Sequence, residues 1–177
     1  RFLPAINHNT NSRKLFASLK NNWETLEFIE DDPDIKLNKE VKIAALETIL
    51  SFWLAKPYAL IETIDYLVKQ DHPMGIITIT NALFCLIHLG LFSLAKEKIE
   101  EIQNNVNAVD DFQLLKLAIR SESEDLKQIV NVSFTLFPKV LGKKEIRLLE
   151  FLLEKALIDD QLELIIECFD QLKNFEM

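Results

Sequence analysis

Residues 86–99 read LIHLGLFSLAKEKI and end a stretch, 73–95, that contains no Asp, Glu, Lys or Arg. The stretch has 23 residues, long enough to span a bilayer. It can equally be a helix buried on several sides, stopped by Gly90 and followed by a second helix. Asn81 and His88 lie inside it and Gly90 lies near its end. Elsewhere the chain supplies amphipathic helices that need a packing partner. The reading adopted is a buried helix, with Gly90 as the turn that folds Leu91 onward back against it.

The flanking segments repeat that pattern. Leu60, Ile61, Ile64, Leu67 and Val68 share one helical face after Pro57, a residue tolerated in a first helical turn. Leu91, Ala95, Ile99 and Ile102 lie opposite Lys96, Glu97, Glu100 and Glu101. Helical spacing also marks 13–29, 39–56, 112–119, 144–157 and 159–175. In the last of these, Leu162, Ile165, Ile166, Phe169 and Leu172 are expected to form the packing face. One segment is ambiguous. Val130, Val132, Phe134 and Leu136 alternate with polar residues, a strand period, whereas both neighbours have helical periods. Helix is favoured there, with strand as the alternative.

Three Gly and five Pro among 177 residues leave few tight turns, which argues for long helices and few connections. The expected fold is therefore all-α, with about nine helices paired into antiparallel hairpins. Breaks near Pro57, Gly90, Ser121 and Asp159 recur every 31 to 38 residues. Hairpins of that size cannot bury their apolar faces alone, so they stack. The whole chain, 1–177, is expected to be one helical-repeat domain with an irregular segment over 1–12. Its first residue, Arg1, suggests a piece of a longer protein.

Gly90 and Ala95, with Phe92 between them, resemble the turn of a tetratricopeptide repeat. Such a repeat ends its first helix at a small residue and uses a second small residue for close packing. The resemblance covers about 75–107 and lacks the family's early Trp and terminal Pro. It implies a short α-solenoid that binds other proteins, and it assigns no binding residue.

Chemistry-bearing patterns are scarce. The sequence has no G-x-G-x-x-G, G-x-S-x-G, H-E-x-x-H or C-x-x-C. Cys85 and His88 lie three apart on one helix, but His8 and His72 sit in polar breaks and complete no ligand set. Asp110–Asp111 and Asp159–Asp160 are expected at helix starts, where acids favour the helix dipole. No metal, cofactor or catalytic residue is expected. Net charge is −8, which disfavours nucleic acid as a partner. The basic run Lys139, Lys143, Lys144 and Arg147 is the one local exception. Cys85 and Cys168 lie in apolar stretches and read as free thiols, which suggests an intracellular location, cytoplasm or nucleus.

The functional expectation is a non-enzymatic protein–protein interaction module, a scaffold or complex subunit that binds a partner helix or peptide through a groove or end face. Phe2, Leu3, Trp23 and Phe28 are candidate apolar contacts, and Lys139, Lys143, Lys144 and Arg147 candidate charged ones. The alternatives are an all-α enzyme or ligand carrier with a core pocket around Asn81, Cys85 and His88, and a nucleic-acid-binding helical repeat.

Overall fold

A computed structural model describes residues 55–71 and 73–177, together with Thr48 and Ser51. Seven α-helices and no strand occur among these residues: α1 Pro57–Gln70, α2 Pro73–His88, α3 Phe92–Ile102, α4 Val109–Arg120, α5 Leu126–Leu136, α6 Lys143–Ile158 and α7 Leu162–Leu172. The all-α expectation holds. The helices expected over 13–29 and 39–56 lie outside this set, apart from Thr48 and Ser51, which are helical, and Ala55 and Lys56, which form the turn before α1. No described helix is long and apolar enough to cross a membrane.

The described residues gather into two compact units, one ending at Asn107 and the other running from Ala108 to Met177. In the first, α2 packs against both α1 and α3. Its core holds Leu60, Ile64, Leu67, Leu83, Leu86 and Ile99. In the second, α4 packs on α5 and α6, α5 on α6 and α7, and α6 on α7. Ile129, Val130, Leu148, Leu152 and Cys168 lie at its centre.

The stretch that decides the fold behaves as its sequence requires. The Leu91 N–H donates to the Leu86 carbonyl (3.0 Å) and the Gly90 N–H to the Ile87 carbonyl (2.9 Å). This pairing of a six-residue and a four-residue closure is a Schellman turn, which needs a left-handed residue just past the helix. Gly90 supplies it, with φ of +79°. A Cβ placed there would meet nothing within 4 Å, so the glycine is required by its backbone angle and not by crowding. Ala95 serves the packing instead and is fully buried.

The same turn recurs without glycine. Ala55 (φ +49°) precedes α1, and the Lys56 N–H donates to the Ser51 carbonyl at 2.8 Å. Asp160 (φ +59°) precedes α7, and the Gln161 N–H donates to the Ala156 carbonyl at 2.8 Å. Ala55, Gly90 and Asp160 are 35 and 70 residues apart (90 − 55 and 160 − 90). Asp159 and Asp160 thus do not begin α7 as expected, because the left-handed turn needs both positions before the N-cap, Gln161.

The fourth turn, before α5, is longer. Residues Ser121–Glu124 lead to Asp125, whose carboxylate accepts from the Gln128 N–H at 3.2 Å. That cap starts a helix through the alternating segment and resolves it against the strand. Inside the helix the Ser133 hydroxyl donates to the Ile129 carbonyl (2.7 Å) and the Thr135 hydroxyl to the Val132 carbonyl (2.6 Å). The polar half of the alternation is thereby satisfied within the helix.

Two further devices close the units. Glu145 is buried in the first turn of α6 and its carboxylate accepts from the Gly142 N–H at 2.9 Å, the return arm of a capping box. The C-terminal residues return to the α5–α6 loop. There the Glu176 N–H donates to the Lys139 carbonyl (3.0 Å), the Leu141 N–H donates to the Glu176 carbonyl (2.8 Å), and Val140 and Glu176 form a short parallel bridge. This sets the Phe175 ring 5.6 Å from Phe134 and 6.3 Å from Phe137.

Lys98 faces the core side of α3, and its side chain is only 9% exposed. Its ammonium reaches Asp65 of α1 and Glu101 of α3, each at 2.8 Å. Burial alone would lower its pKa, but the hydrogen bonds and charges of Asp65 and Glu101 outweigh burial and raise it above 10.5. A group with a raised folded pKa stabilises fully below its unfolded value and loses that contribution as pH rises through the folded one.

Two outcomes follow for stability, both read by urea denaturation. Gly90→Ala costs about 1 kcal/mol and Gly90→Asn less, since a left-handed angle penalises a Cβ but tolerates Asn best. An unchanged midpoint for Gly90→Ala removes the turn role. Raising pH well above 10.5 destabilises the wild type more than Asp65→Asn, which itself costs about 1 kcal/mol or less because Asp65 is partly exposed. Equal alkaline losses remove the role of this pair.

Candidate interaction surface

Counting from each N-cap places the second helix of every turn in a common register. The eighth residue after the caps Lys56, Leu91, Asp125 and Gln161 is Ile64, Ile99, Ser133 and Phe169. The first three are 0%, 1% and 0% exposed, whereas Phe169 is 58% exposed. Leu162 (56%) and Ile166 (63%) join it at spacings of seven and three, an apolar stripe along the whole of α7. The packing face of α7 is carried by Leu164 and Cys168 instead, so the expected grouping of Leu162, Ile166 and Phe169 in the core is corrected. The reason is position: α5 and α6 occupy the Leu164–Cys168 side.

Carboxylates border the stripe. Asp159, Asp160 and Glu163 are exposed at its N-terminal end. Glu167 is bound by Lys127 of α5 at 2.9 Å, and Asp170 by Lys173 at 2.6 Å. The Glu167 carboxylate holds Lys127 above its ordinary pKa, with smaller help from Glu163 and Asp125. An open groove of about 570 Å³ runs here, lined by Lys127, Asp160, Glu163 and Glu167, so one cation faces three carboxylates. Leu157 and Ile158, also exposed, end α6 immediately before this turn.

The candidate residues from the sequence fall elsewhere. Phe2, Leu3, Trp23 and Phe28 lie outside the described residues. Lys139 sits in the α5–α6 loop, 3.5 Å from Glu176, and Lys144 lies 3.7 Å from Asp111. Lys143 and Arg147 share one face of α6, four residues apart. The basic run therefore spans a loop and a helix start, with two of its cations next to acids.

His88 is exposed at the end of α2, its ring edge-on to Phe84 at 4.8 Å, and Cys85 is half-buried. Among the described residues no three His, Cys, Asp or Glu side chains form a metal-binding group. Burial pushes the Cys168 thiol up in pKa, aided by Glu167, which favours the unreactive thiol form.

No protein-family model matches the chain, and no solved structure matches it. A 108-residue stretch is 41% identical to the serine/threonine-protein kinase PknD of Protochlamydia amoebophila. The match covers 60% of this chain and 11% of that protein, so the chain spans about a tenth of that relative's length.

The two faces of α7 separate in a stability measurement. Leu164→Ala costs roughly 2–4 kcal/mol, as for a buried leucine. Phe169→Ser costs less than about 0.5 kcal/mol. A reversed order would place Phe169, and not Leu164, in the core.

Proposed function

We propose that this chain is a non-enzymatic protein-interaction module, a short α-solenoid of stacked antiparallel hairpins in the manner of tetratricopeptide repeats, serving as scaffold or subunit in a larger intracellular complex. The observation that carries this reading is a period. The N-caps of α1, α3, α5 and α7 follow one another at 35, 34 and 36 residues (56, 91, 125, 161). Cross-helix polar contacts inside each unit span 33 to 40 residues. Lys98–Asp65 and Lys144–Asp111 are 33 apart, Lys155 to the Ser121 carbonyl 34, and Lys127–Glu167 and Gln171–Asn131 40. Within each unit, helices thus reach a helix one hairpin away (α1 to α3 in the first, α4 to α6 and α5 to α7 in the second), as neighbouring repeats do. The contacts α4–α6 and α5–α7 have the same sense. Solenoids of this kind offer extended faces for protein ligands and need no catalytic group.

The similarity to a kinase fits this reading as a likeness to a non-catalytic segment. A protein kinase covers ATP phosphates with a glycine-rich loop, and this chain has three isolated glycines and no such motif. Its partner, in this proposal, is another protein that presents a helix or an extended peptide. Nucleic acid fits poorly with the net charge of −8 and with the partly paired basic run.

Two measurements test the proposal together. The purified chain with Mg²⁺–ATP transfers no phosphate to itself or to a generic acceptor protein. Cross-linking in cells followed by affinity purification and mass spectrometry returns a stoichiometric protein partner. Phosphotransfer by the chain alone, or recovery of nothing but the chain across expression levels, would overturn it.

A further inference from the structure

The register of α7 is unlike that of the three helices equivalent to it. Position eight after the N-cap is closed in α1, α3 and α5 and open in α7. In α1 and α5 the next helix of the chain, α2 or α6, packs against that helix. An α-helix is therefore the kind of element that these helices accept beside them, and Leu162, Ile166 and Phe169 are spaced to meet one. The border carries acids: among the described residues Asp159, Asp160 and Glu163 have no ion pair within 4 Å, while Glu167 and Asp170 are bound to Lys127 and Lys173. A second copy of the chain would bring the same acids against each other across a two-fold interface, on molecules that each carry −8.

We propose that the open face of α7 docks an amphipathic α-helix of another protein, one with Leu, Ile or Phe along its seam and Lys or Arg along its edge. The apolar side chains of that helix cover Ile166 and Phe169, and its cations meet Asp159, Asp160 and Glu163. Asp160 is well placed for this, because its left-handed backbone fixes it at the head of the helix. This inference rests on the reading of the chain as an interaction module and names the surface and the chemistry that the module uses.

The test uses the full chain and two synthetic 18-residue amphipathic helices, one of Leu and Lys and one of Leu and Glu. Binding is read by fluorescence anisotropy and located by NMR shift changes. The Leu/Lys helix binds at least about tenfold tighter than the Leu/Glu helix, and added salt weakens it. Shift changes centre on 157–170. Ile166→Ser weakens binding about tenfold, and Glu163→Lys weakens it without touching the apolar stripe. Both positions are solvent-exposed, and circular dichroism confirms that the variants remain folded.

Equal binding of the two helices overturns the acidic-border argument. Shift changes confined to other helices, or insensitivity to both variants, overturn the α7 site, and the interaction-module reading then survives on a different surface. Concentration-dependent dimerisation, seen by light scattering and abolished by Ile166→Ser, assigns the face to self-association and overturns the partner helix. Absence of any cellular partner alongside tight peptide binding would count against the module and leave the surface chemistry standing.

Discussion

Turning one helix into another within three residues requires a backbone angle that L-amino acids avoid. Three of the turns here meet that requirement in the same way, with one residue at positive φ followed by an N–H that closes back on a carbonyl five residues earlier. Much else follows from it. The turn fixes the N-cap of the next helix, the N-cap fixes which residues of that helix point inward, and the inward positions determine where the hairpins meet. Ile64 and Ile99 are buried because Lys56 and Leu91 are caps, and those are caps because Ala55 and Gly90 precede them.

How much of this was legible in the sequence depends on what each feature leaves behind there. Helix type and approximate extent left strong traces: the one-sided pattern of Leu60, Ile64 and Leu67 is a burial list written in advance. Gly90 was legible because glycine is the residue that pays least for a left-handed angle. Ala55 and Asp160 adopt the same angle without advertising it, and so three copies of one turn looked like one. The alternating segment left strand open as an alternative because of its hydroxyls. Ser133 and Thr135 read as the wet side of a strand, yet each bonds to a carbonyl of its own helix.

The surface was harder to read than the core. A sequence lists which side chains are apolar but not how many sides of a helix are occupied. α7 is apolar over more than half its circumference, and Leu164 and Cys168 took the inner positions, leaving Phe169 outside. Lys98 illustrates the opposite case. It is a lysine, yet its stem is buried, and its charge is held by two carboxylates at the core's edge. Neither outcome follows from residue type, since both depend on what the neighbouring helix brings.

The returning C-terminal residues have a consequence in time. Phe134 and Phe137 form their aromatic cluster with a ring 38 to 41 residues further on (175 − 137 and 175 − 134), held there by hydrogen bonds of Glu176. A chain made from its N-terminus has α5 and α6 in hand well before that ring exists. Until Phe175 leaves the ribosome, two phenylalanines at the end of α5 lack their lid. During synthesis the loop around Pro138 is then a sticky place, of the kind that chaperones hold.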